Sequence, residues 1–467
     1  MADWQGKRVV IVGLARQGLA LARYLAPLGC HLVLNDRRPA EEMQELRESL
    51  KDLSNQVDHP IEWVFGGHPL EILEGADMVF PSGGVSLSNP LIVEAQARGI
   101  PLSNDSQLFL EAAPCPVIGI TGSAGKTTTT TLVGRMAMAG HQGGQAWIGG
   151  NIGSPLISCL DQIESGDLAV MELSSFQLEI MTRSPGIAAV LNITPNHLDR
   201  HKTMDVYTAA KARILEYQKP GDVTVLGYDD PIAWSLAEKA IGQVYSFGLE
   251  SPAPGMPGCF VKDEVIYLRD DESEIQIMNR AQIGLRGEHN LMNVLAACTI
   301  AAAAGLPIAA MQAGVAGFTG VAHRLEFVRT WKGVDWYNDS IATAPERAMA
   351  AIRSFDEPLV LLAGGRDKDL PWEEFASLVS QRVDHLILFG EAKAVIKDAL
   401  NSIAGRQDGM KATIQECGGL KDAVLAACAL VEAGDVVLLS PGGTSFDEFY
   451  DFEERGEAFK RWVMELQ

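Results

Sequence analysis

With 467 residues, of which 47% are hydrophobic and 21% charged, the chain is long enough for roughly two to four domains with full cores and too apolar to be disordered. A net charge of −22 argues against a nucleic-acid backbone or an anionic membrane surface as the main partner, so an anionic substrate must meet a local basic pocket. Seven scattered cysteines with no Cys-x-x-Cys pair exclude a disulfide framework; without a signal peptide they predict buried thiols in a cytoplasmic, reducing setting.

Residues 7–36 read strand, turn, helix, strand: Lys7–Val12, the turn Gly13–Gly18, a helix over Leu19–Leu28, and His31–Asp36. This is nearly the dinucleotide fingerprint, with Asp36 closing the second strand. Ala15, however, stands at the middle glycine, where backbone must approach a pyrophosphate closely. Arg16, Arg37 and Arg38 put positive charge at the same mouth. The expectation is a Rossmann-like domain for a phosphorylated nucleotide other than NAD or FAD, with a ligand-free scaffold as the plain alternative. The strand within Ala76–Val85 ends in Ser82-Gly83-Gly84, a small-residue loop at the strand end where open α/β sheets bind ligands. Ala113-Pro-Cys-Pro116 reads as a linker.

An apolar run, Val117–Ile120, then enters Gly122-Ser123-Ala124-Gly125-Lys126-Thr127-Thr128 and a helix-compatible stretch. Strand, glycine turn, Lys-Thr and helix make a phosphate cradle, in which backbone N–H groups and a helix N-terminus face a polyphosphate. Lys126 would reach the β- and γ-phosphates of ATP, and the Thr127 hydroxyl would hold Mg²⁺. The bland alternative, a βα turn with a surface lysine, is disfavoured by the strand before it and the helix after it. Asn151 lies in the loop Gly149–Gly153. Glu172 ends the strand Leu168–Met171, and His197 and Asp199 follow the strand Ala188–Ile193. In a parallel sheet these ends share the edge of the phosphate loop, so Glu172 and His197 are candidates for Mg²⁺ or the transferring phosphoryl group.

Lys211 falls in Val206–Glu216, an amphipathic helical run, and on pattern alone is a solvated lysine. Short strands are expected at Asp222–Leu226 and Val265–Leu268. Asn290 and Asn293 stand one helical turn apart in Gly287-Glu-His-Asn-Leu-Met-Asn293. The uncharged stretch Asn290–Ala322 is broken by Gly305-Leu-Pro307 and reads as two packed helices, not a membrane span.

Strands at Asp335–Asn338, Leu359–Ala363, His385–Phe389 and Asp435–Leu439 follow, with helical stretches between them. Their ends carry Asp339 to Thr343, Gly364 to Lys368 and Ser440 to Asp447, so acids, bases and hydroxyls gather on one edge. The predicted fold class is α/β in three domains. Residues 1–113 form a Rossmann-like N-terminal domain, 114–320 a central P-loop ATPase-type parallel sheet, and 321–467 a C-terminal Rossmann-like domain.

Over its whole length the sequence resembles the Mur ligase family of bacterial cell-wall synthesis. The resemblance is carried by Thr121-Gly-Ser-Ala-Gly-Lys-Thr-Thr128, Glu172-Leu-Ser-Ser-Phe-Gln-Leu178, Asn192-Ile-Thr-Pro-Asn-His-Leu-Asp199, Gly287-Glu-His-Asn-x-x-Asn293, His323-Arg324 and Asn338-Asp-Ser340. The opening residues, Leu173–Leu178 and Leu439-Ser-Pro to Phe452 are most similar to the members that join glutamate to UDP-N-acetylmuramoyl-L-alanine.

The resemblance implies an ATP-dependent amide ligase of peptidoglycan precursor synthesis, working through an acyl phosphate with Mg²⁺. It implies catalytic roles for Lys126, His197 and Lys211, with Lys211 carrying CO₂ as a carbamate. ATP contacts would come from Gly122, Ser123, Ala124, Gly125, Lys126, Thr127, Thr128, Asn290, Asn293, Arg324 and Asp339, and metal contacts from Thr127, Glu172, His197 and Lys211. Ala15, Arg16, Asp36, Arg37 and Gly84 would hold the UDP-sugar and Asn151 would contact the same substrate. Thr343, Lys368, Ser445 and Phe452 would surround the amino acid. A monomer is expected, with no nucleic-acid partner and no membrane insertion.

Two departures bear on the acceptor. Ile341 stands where better-known members carry lysine, and Gly442-Gly443-Thr444 before Ser445 replaces a commoner small-residue run. D-glutamate is the expected amino acid; the alternative is L-glutamate or another Mur-type acceptor, then a folylpolyglutamate-type ligase. An ATP-gated binding protein would not need Glu172, His197 and Lys368 at strand ends, and an NAD-dependent oxidoreductase is weakened by Ala15.

Overall fold

The structure, a computed structural model, describes residues 4–51, 53, 60–196, 198–270, 273–368, 370–404 and 412–466. It divides into two compact units, Met1–Ile283 with His289–Ala316, and Gly284–Glu288 with Gly317–Gln467.

The first unit carries two sheets. Four parallel strands lie in the order Glu62–Phe65, His31–Asp36, Arg8–Val12, Met78–Pro81. Val9 to Val12 are buried and flanked on both sides by paired strands, which is why this segment is an unbroken apolar run and not an alternating one. The first helix spans Arg16–Leu25, starting three residues before the expected Leu19. Gly18 therefore belongs to the helix and not to the turn. A side chain there would lie 2.1 Å from Gly13 O, so this glycine lets the helix sit directly on the turn.

The second sheet has nine strands among the described residues, in the order Ser273–Asn279, Val265–Asp270, Gly258–Lys262, Gln243–Phe247, Val223–Gly227, Ile187–Val190, Val117–Thr121, Leu168–Glu172, Ala146–Gly150. From Gly258–Lys262 to Ala146–Gly150 the pairing is parallel. The phosphate-loop strand Val117–Thr121 thus lies between Leu168–Glu172 and Ile187–Val190, and the ends of all three emerge on one edge. The last three strands in sequence are antiparallel neighbours. Asp263 and Glu264, both left-handed (φ 50° and 60°), form the two-residue turn that joins Gly258–Lys262 to Val265–Asp270.

The uncharged stretch folds as Glu288–Ala303 and Ile308–Val315, separated at Gly305 and Pro307. The second of these packs on the helix Lys126–Gly140 that leaves the phosphate loop. Among the described residues no helix is long and apolar enough to cross a membrane.

The second unit holds six strands in the order Glu326–Trp331, Val334–Asn338, Val436–Gly442, Leu359–Gly364, His385–Phe389, Thr413–Glu416, parallel except for the first. Pairing of Val334–Asn338 with Val436–Gly442 brings Asp339 and Ser440 together at the strand ends.

Candidate active site

The phosphate loop is built by glycine geometry and by a strap from the next strand. Gly125 is left-handed (φ 82°), and a side chain at this position would lie 2.1 Å from Asn293 Oδ1. Both facts require glycine. Asn293 Nδ2 donates to Asn290 Oδ1 at 3.1 Å, and Thr129 Oγ1 donates to Asn293 Oδ1 at 3.5 Å, so the two predicted amides reach the start of the loop helix. Ser123 N–H donates to Asn192 O at 2.9 Å and Ala124 N–H to Asn192 Oδ1 at 2.8 Å. Ser123 Oγ donates to Thr194 O and lies 3.0 Å from Tyr207 OH. Thr128 is buried in the first helical turn behind Thr127.

Glu172 is buried at the end of its strand and accepts two hydrogen bonds, from Thr127 Oγ1 and from Asn151 Nδ2, each at 2.9 Å. The Asn151 N–H also donates to Glu172 O at 2.9 Å, which fixes the loop carrying that amide. Hydroxyl and carboxylate oxygens side by side at a phosphate loop are the donor type Mg²⁺ selects.

Two lysines meet at one acceptor. Lys126 Nζ donates to Gly122 O at 2.9 Å and Lys211 Nζ to the same oxygen at 2.8 Å. Lys211 is 1% exposed, and its ammonium lies 4.8 Å from the Tyr207 ring centre. Burial, then the Lys126 charge, push its pKa down to about 6 against an upward pull from Glu172. The solvated reading that pattern alone gives this lysine is overturned. Tyr207, Ala210, Lys211, Ile214 and Leu215 all lie on the buried stripe of the helix Met204–Glu216. His197 lies outside the described residues.

At the mouth of the first sheet, Asp36 is buried and accepts from Leu14 N–H at 2.8 Å. Arg38 grips the same carboxylate with Nε at 3.0 Å and Nη2 at 2.9 Å, and its N–H adds a bond at 3.0 Å. Burial alone would raise this carboxyl; the Arg38 side chain, the two backbone N–H groups and the Arg38 charge overcome it and hold the pKa at about 2. Arg38, not Arg37, is thus the partner of Asp36, and Arg37 is exposed. Ala15 caps the helix without a side-chain bond and is exposed together with Arg16, whose Nη1 reaches Gly153 O at 3.5 Å. Gly84 faces open space: a side chain there would meet nothing within 4 Å.

In the second unit Asp339 is buried, accepting from Ser440 Oγ at 2.8 Å and Leu325 N–H at 3.2 Å. Burial outweighs these bonds and the charges of Arg324 and Arg347, and pushes its pKa up to about 7. Arg324 Nε is buried with no hydrogen-bond partner among the described residues. Lys368 Nζ donates to Thr343 Oγ1 at 3.4 Å, and burial with the charges of Arg347 and Arg455 lowers its pKa. Ser445 is buried, and Phe452 meets His323 edge-on with ring centres 6.1 Å apart.

Sequence reasoning missed Asn192, Tyr207, Arg200 and Arg455. Arg455 is fully buried and donates to Ser340 Oγ, Ser340 O, Gly443 O and Thr444 O at 2.8 to 3.1 Å, tying down the loop before Ser445. Asn192, an amide directly at a strand end beside the phosphate loop, carried a readable signal; Arg455, in a charge-rich helical run, carried none.

Known proteins match the chain along nearly its whole length. Residues 7–104 match the MurD-like N-terminal domain of Mur ligases, residues 120–301 the Mur ligase middle domain, and residues 323–443 the Mur ligase glutamate ligase domain. The chain is 41% identical over 460 residues to a UDP-N-acetylmuramoylalanine–D-glutamate ligase of Symbiobacterium thermophilum, covering 98% of each chain. It is 38% identical over 466 residues to a protein of the same name from Thermoanaerobacter pseudethanolicus, covering 100% of each. Among solved structures it is similar in fold to a UDP-N-acetylmuramate-alanine ligase of Thermotoga maritima (TM-score 0.56, 18% identity, 98% and 100% covered). It is likewise similar to MurF of Acinetobacter baumannii (TM-score 0.57, 17% identity, 98% and 92% covered).

Proposed function

Because the chain belongs to the Mur ligase family, we propose that it is an ATP-dependent ligase joining D-glutamate to UDP-N-acetylmuramoyl-L-alanine in peptidoglycan precursor synthesis. What carries this reading is the Thr127 hydroxyl 2.9 Å from the Glu172 carboxylate on a phosphate loop, in a chain 41% identical from end to end to a D-glutamate-adding relative.

In the proposed reaction the L-alanyl carboxylate attacks the γ-phosphorus of ATP. The bond to the bridging oxygen breaks, and ADP leaves an acyl phosphate behind. The glutamate amine then attacks the acyl carbon, inorganic phosphate departs and the amine loses its proton. Positioning and charge neutralisation do most of the work in the first step. Lys126 and the N–H groups of Gly125 to Thr128 hold the polyphosphate, with Gly122, Ser123 and Ala124 shaping the loop around it, while Asn290 and Asn293 brace it. Thr127 and Glu172 would hold Mg²⁺, with His197 as a further ligand; the metal, when bound, neutralises charge on the phosphoryl oxygens. Asn151, anchored on Glu172, contacts the muramoyl substrate.

Lys211 is assigned to a carbamate. A neutral amine adds CO₂ and releases a proton, converting a cation into an anionic oxygen donor. Its burial and its pKa of about 6 support this, because the free amine prevails at neutral pH. Ala15, Arg16, Asp36, Arg37 and Gly84 are assigned to the uridine nucleotide; Arg38 joins them on its grip of Asp36. Arg324 and Asp339 are assigned to nucleotide contacts, and Thr343, Lys368, Ser445 and Phe452 to the amino acid. The proposed functional domains are residues 1–113, 114–320 and 321–467. Seven free cysteines suit a reducing cytoplasm.

The test is ATP-dependent phosphate release with UDP-N-acetylmuramoyl-L-alanine against a panel of D- and L-amino acids. D-glutamate should give the highest kcat/KM. A clear preference for L-glutamate or a neutral amino acid would refute the acceptor, and no release with any of them would refute the reaction.

A further inference from the structure

The loop Ser82–Val85, which follows the strand Met78–Pro81, is gripped from two sides. From the turn and helix that follow the first strand, Ser82 Oγ donates to Gly13 O at 2.6 Å and Gly83 N–H to Gln17 Oε1 at 3.2 Å. From the segment after the strand Ile187–Val190, Arg200 donates Nη1 to Gly83 O at 2.9 Å and Nη2 to Val85 O at 3.0 Å. The two carbonyls flank Gly84, the residue that faces open space.

Arg200 is itself held in place. Its guanidinium lies 3.9 Å from the centre of the Phe176 ring. That ring stacks on His201, with centres 5.3 Å apart and planes 5° from parallel. His201 Nε2 lies 2.9 Å from Ser175 Oγ, and its Nδ1 lies 3.1 Å from Glu179. The Tyr207 ring is 5.0 Å from His201, and its hydroxyl reaches Ser123 of the phosphate loop at 3.0 Å. A continuous run of contacts therefore joins the Gly83–Val85 loop to the phosphate loop.

Gly83 and Gly84 bring wide backbone freedom and no side chain of their own to this loop, beyond the hold of Ser82 and the Gly83 N–H. A planar guanidinium that spends both Nη donors on two main-chain carbonyls removes that freedom, and an ammonium cannot reproduce the fork. We propose that Arg200 is a positioning residue for the nucleotide-sugar substrate, clamping the carbonyls on either side of Gly84 so that the open face of this loop is preformed to receive it. The proposal rests on the assignment of Gly84 to the substrate site. It puts a residue of the central sheet's segment in control of affinity at the first sheet's mouth.

The experiment uses the full chain with Arg200→Lys, Arg200→Met and Phe176→Leu. Phosphate release by the unmodified chain with UDP-N-acetylmuramoyl-L-alanine tests the reaction itself, independently of Arg200. UDP titration and amide hydrogen exchange test the clamp without turnover. For both Arg200 variants, KM for the UDP-substrate and Kd for UDP should rise about ten- to a hundred-fold, as expected for losing two charge-assisted bonds. The kcat and KM for ATP should stay within about two-fold, with faster exchange confined to the Gly83–Val85 amides. Phe176→Leu keeps the donors but removes their support, and should give the same pattern at about two- to five-fold. Unchanged UDP-substrate KM, or equal losses for all substrates together with a lower Tm, would overturn the proposal.

Discussion

Lys126 and Lys211 point their amines at one oxygen, the main-chain carbonyl of Gly122, from 2.9 and 2.8 Å. Two ammonium groups cannot share a buried acceptor without repulsion. Lys211, the more deeply enclosed, yields: burial and the Lys126 charge bring its pKa to about 6. At neutral pH the free amine of Lys211 prevails. The two side chains then have separate chemistry, Lys126 at the phosphate loop and Lys211 as a nucleophilic nitrogen for CO₂.

From this follows the behaviour of Lys211 variants. Lys211→Ala should be nearly inactive with Mg²⁺ and partly restored by added acetate, which resupplies an anionic oxygen donor. Lys211→Arg, a permanent cation, should be equally inactive and beyond rescue. With ¹³C-labelled CO₂ a carbamate carbon resonance should appear in the unmodified chain and vanish in both variants. Full activity of Lys211→Ala without additive would return this residue to a packing role.

Lys126→Ala should separate chemistry from nucleotide-sugar binding. Removing a cation that acts on developing phosphoryl charge lowers kcat by about 10² to 10³. KM for the UDP-substrate should stay within about three-fold, because Lys126 Nζ donates to the Gly122 and Ser123 carbonyls of its own loop. Wild-type turnover in this variant would sink the phosphate-loop assignment.

A pair of glycines should respond oppositely to alanine. At Gly125 the left-handed φ of 82° costs a non-glycine residue about 1–2 kcal/mol, and the new methyl would collide with Asn293 Oδ1. Gly125→Ala should lower Tm and abolish ATP binding. Gly84 has open space around it, so Gly84→Ala should leave Tm unchanged while raising KM for the UDP-substrate. Calorimetry of both variants beside their KM values checks the pair; a Gly84→Ala chain with unchanged KM would remove Gly84 from the substrate site.

The parts of this molecule that were legible in sequence are those whose chemistry is local. The order strand, Gly122 to Thr128, helix is fixed within a dozen residues, and parallel pairing then obliges Glu172 to share its edge. Lys211 was hidden because a helical pattern says which face is buried but not that a lysine can sit on it when a carbonyl waits there. Arg455 was hidden for the same reason, since its acceptors come from Ser340 on one side and Gly443 and Thr444 on the other, two stretches about a hundred residues apart in sequence. The choice of Arg38 over Arg37 at Asp36 depends on which way one turn sends two adjacent side chains, and no spacing rule decides that. Strands Gln243–Phe247 and Gly258–Lys262 went unread because Pro- and Gly-rich loops surround them.

Asp339 gives a pH-dependent prediction whose sign follows from its surroundings. Ser440 and the Leu325 N–H favour its carboxylate, as do the charges of Arg324 and Arg347, yet burial prevails and the folded pKa is about 7. In an unfolded chain an aspartate titrates near about 3.9. Between these values the folded state keeps a proton that the unfolded state has released, so stability falls as pH rises through the window. The loss is on the order of 3–4 kcal/mol between about pH 4 and pH 7, and it levels off above the folded pKa. Asp339→Asn cannot ionise, so this contribution is absent from its profile. Hydrogen exchange at the strand Val334–Asn338, followed at pH 4.5, 6 and 7.5, should show the variant gaining on the unmodified chain as pH rises. Activity should move the other way, because an amide nitrogen replaces a carboxyl oxygen of a side chain assigned to nucleotide contacts. Parallel stability profiles for the two chains would show that this carboxyl is ionised throughout, held by Arg324 and Arg347 more firmly than burial opposes.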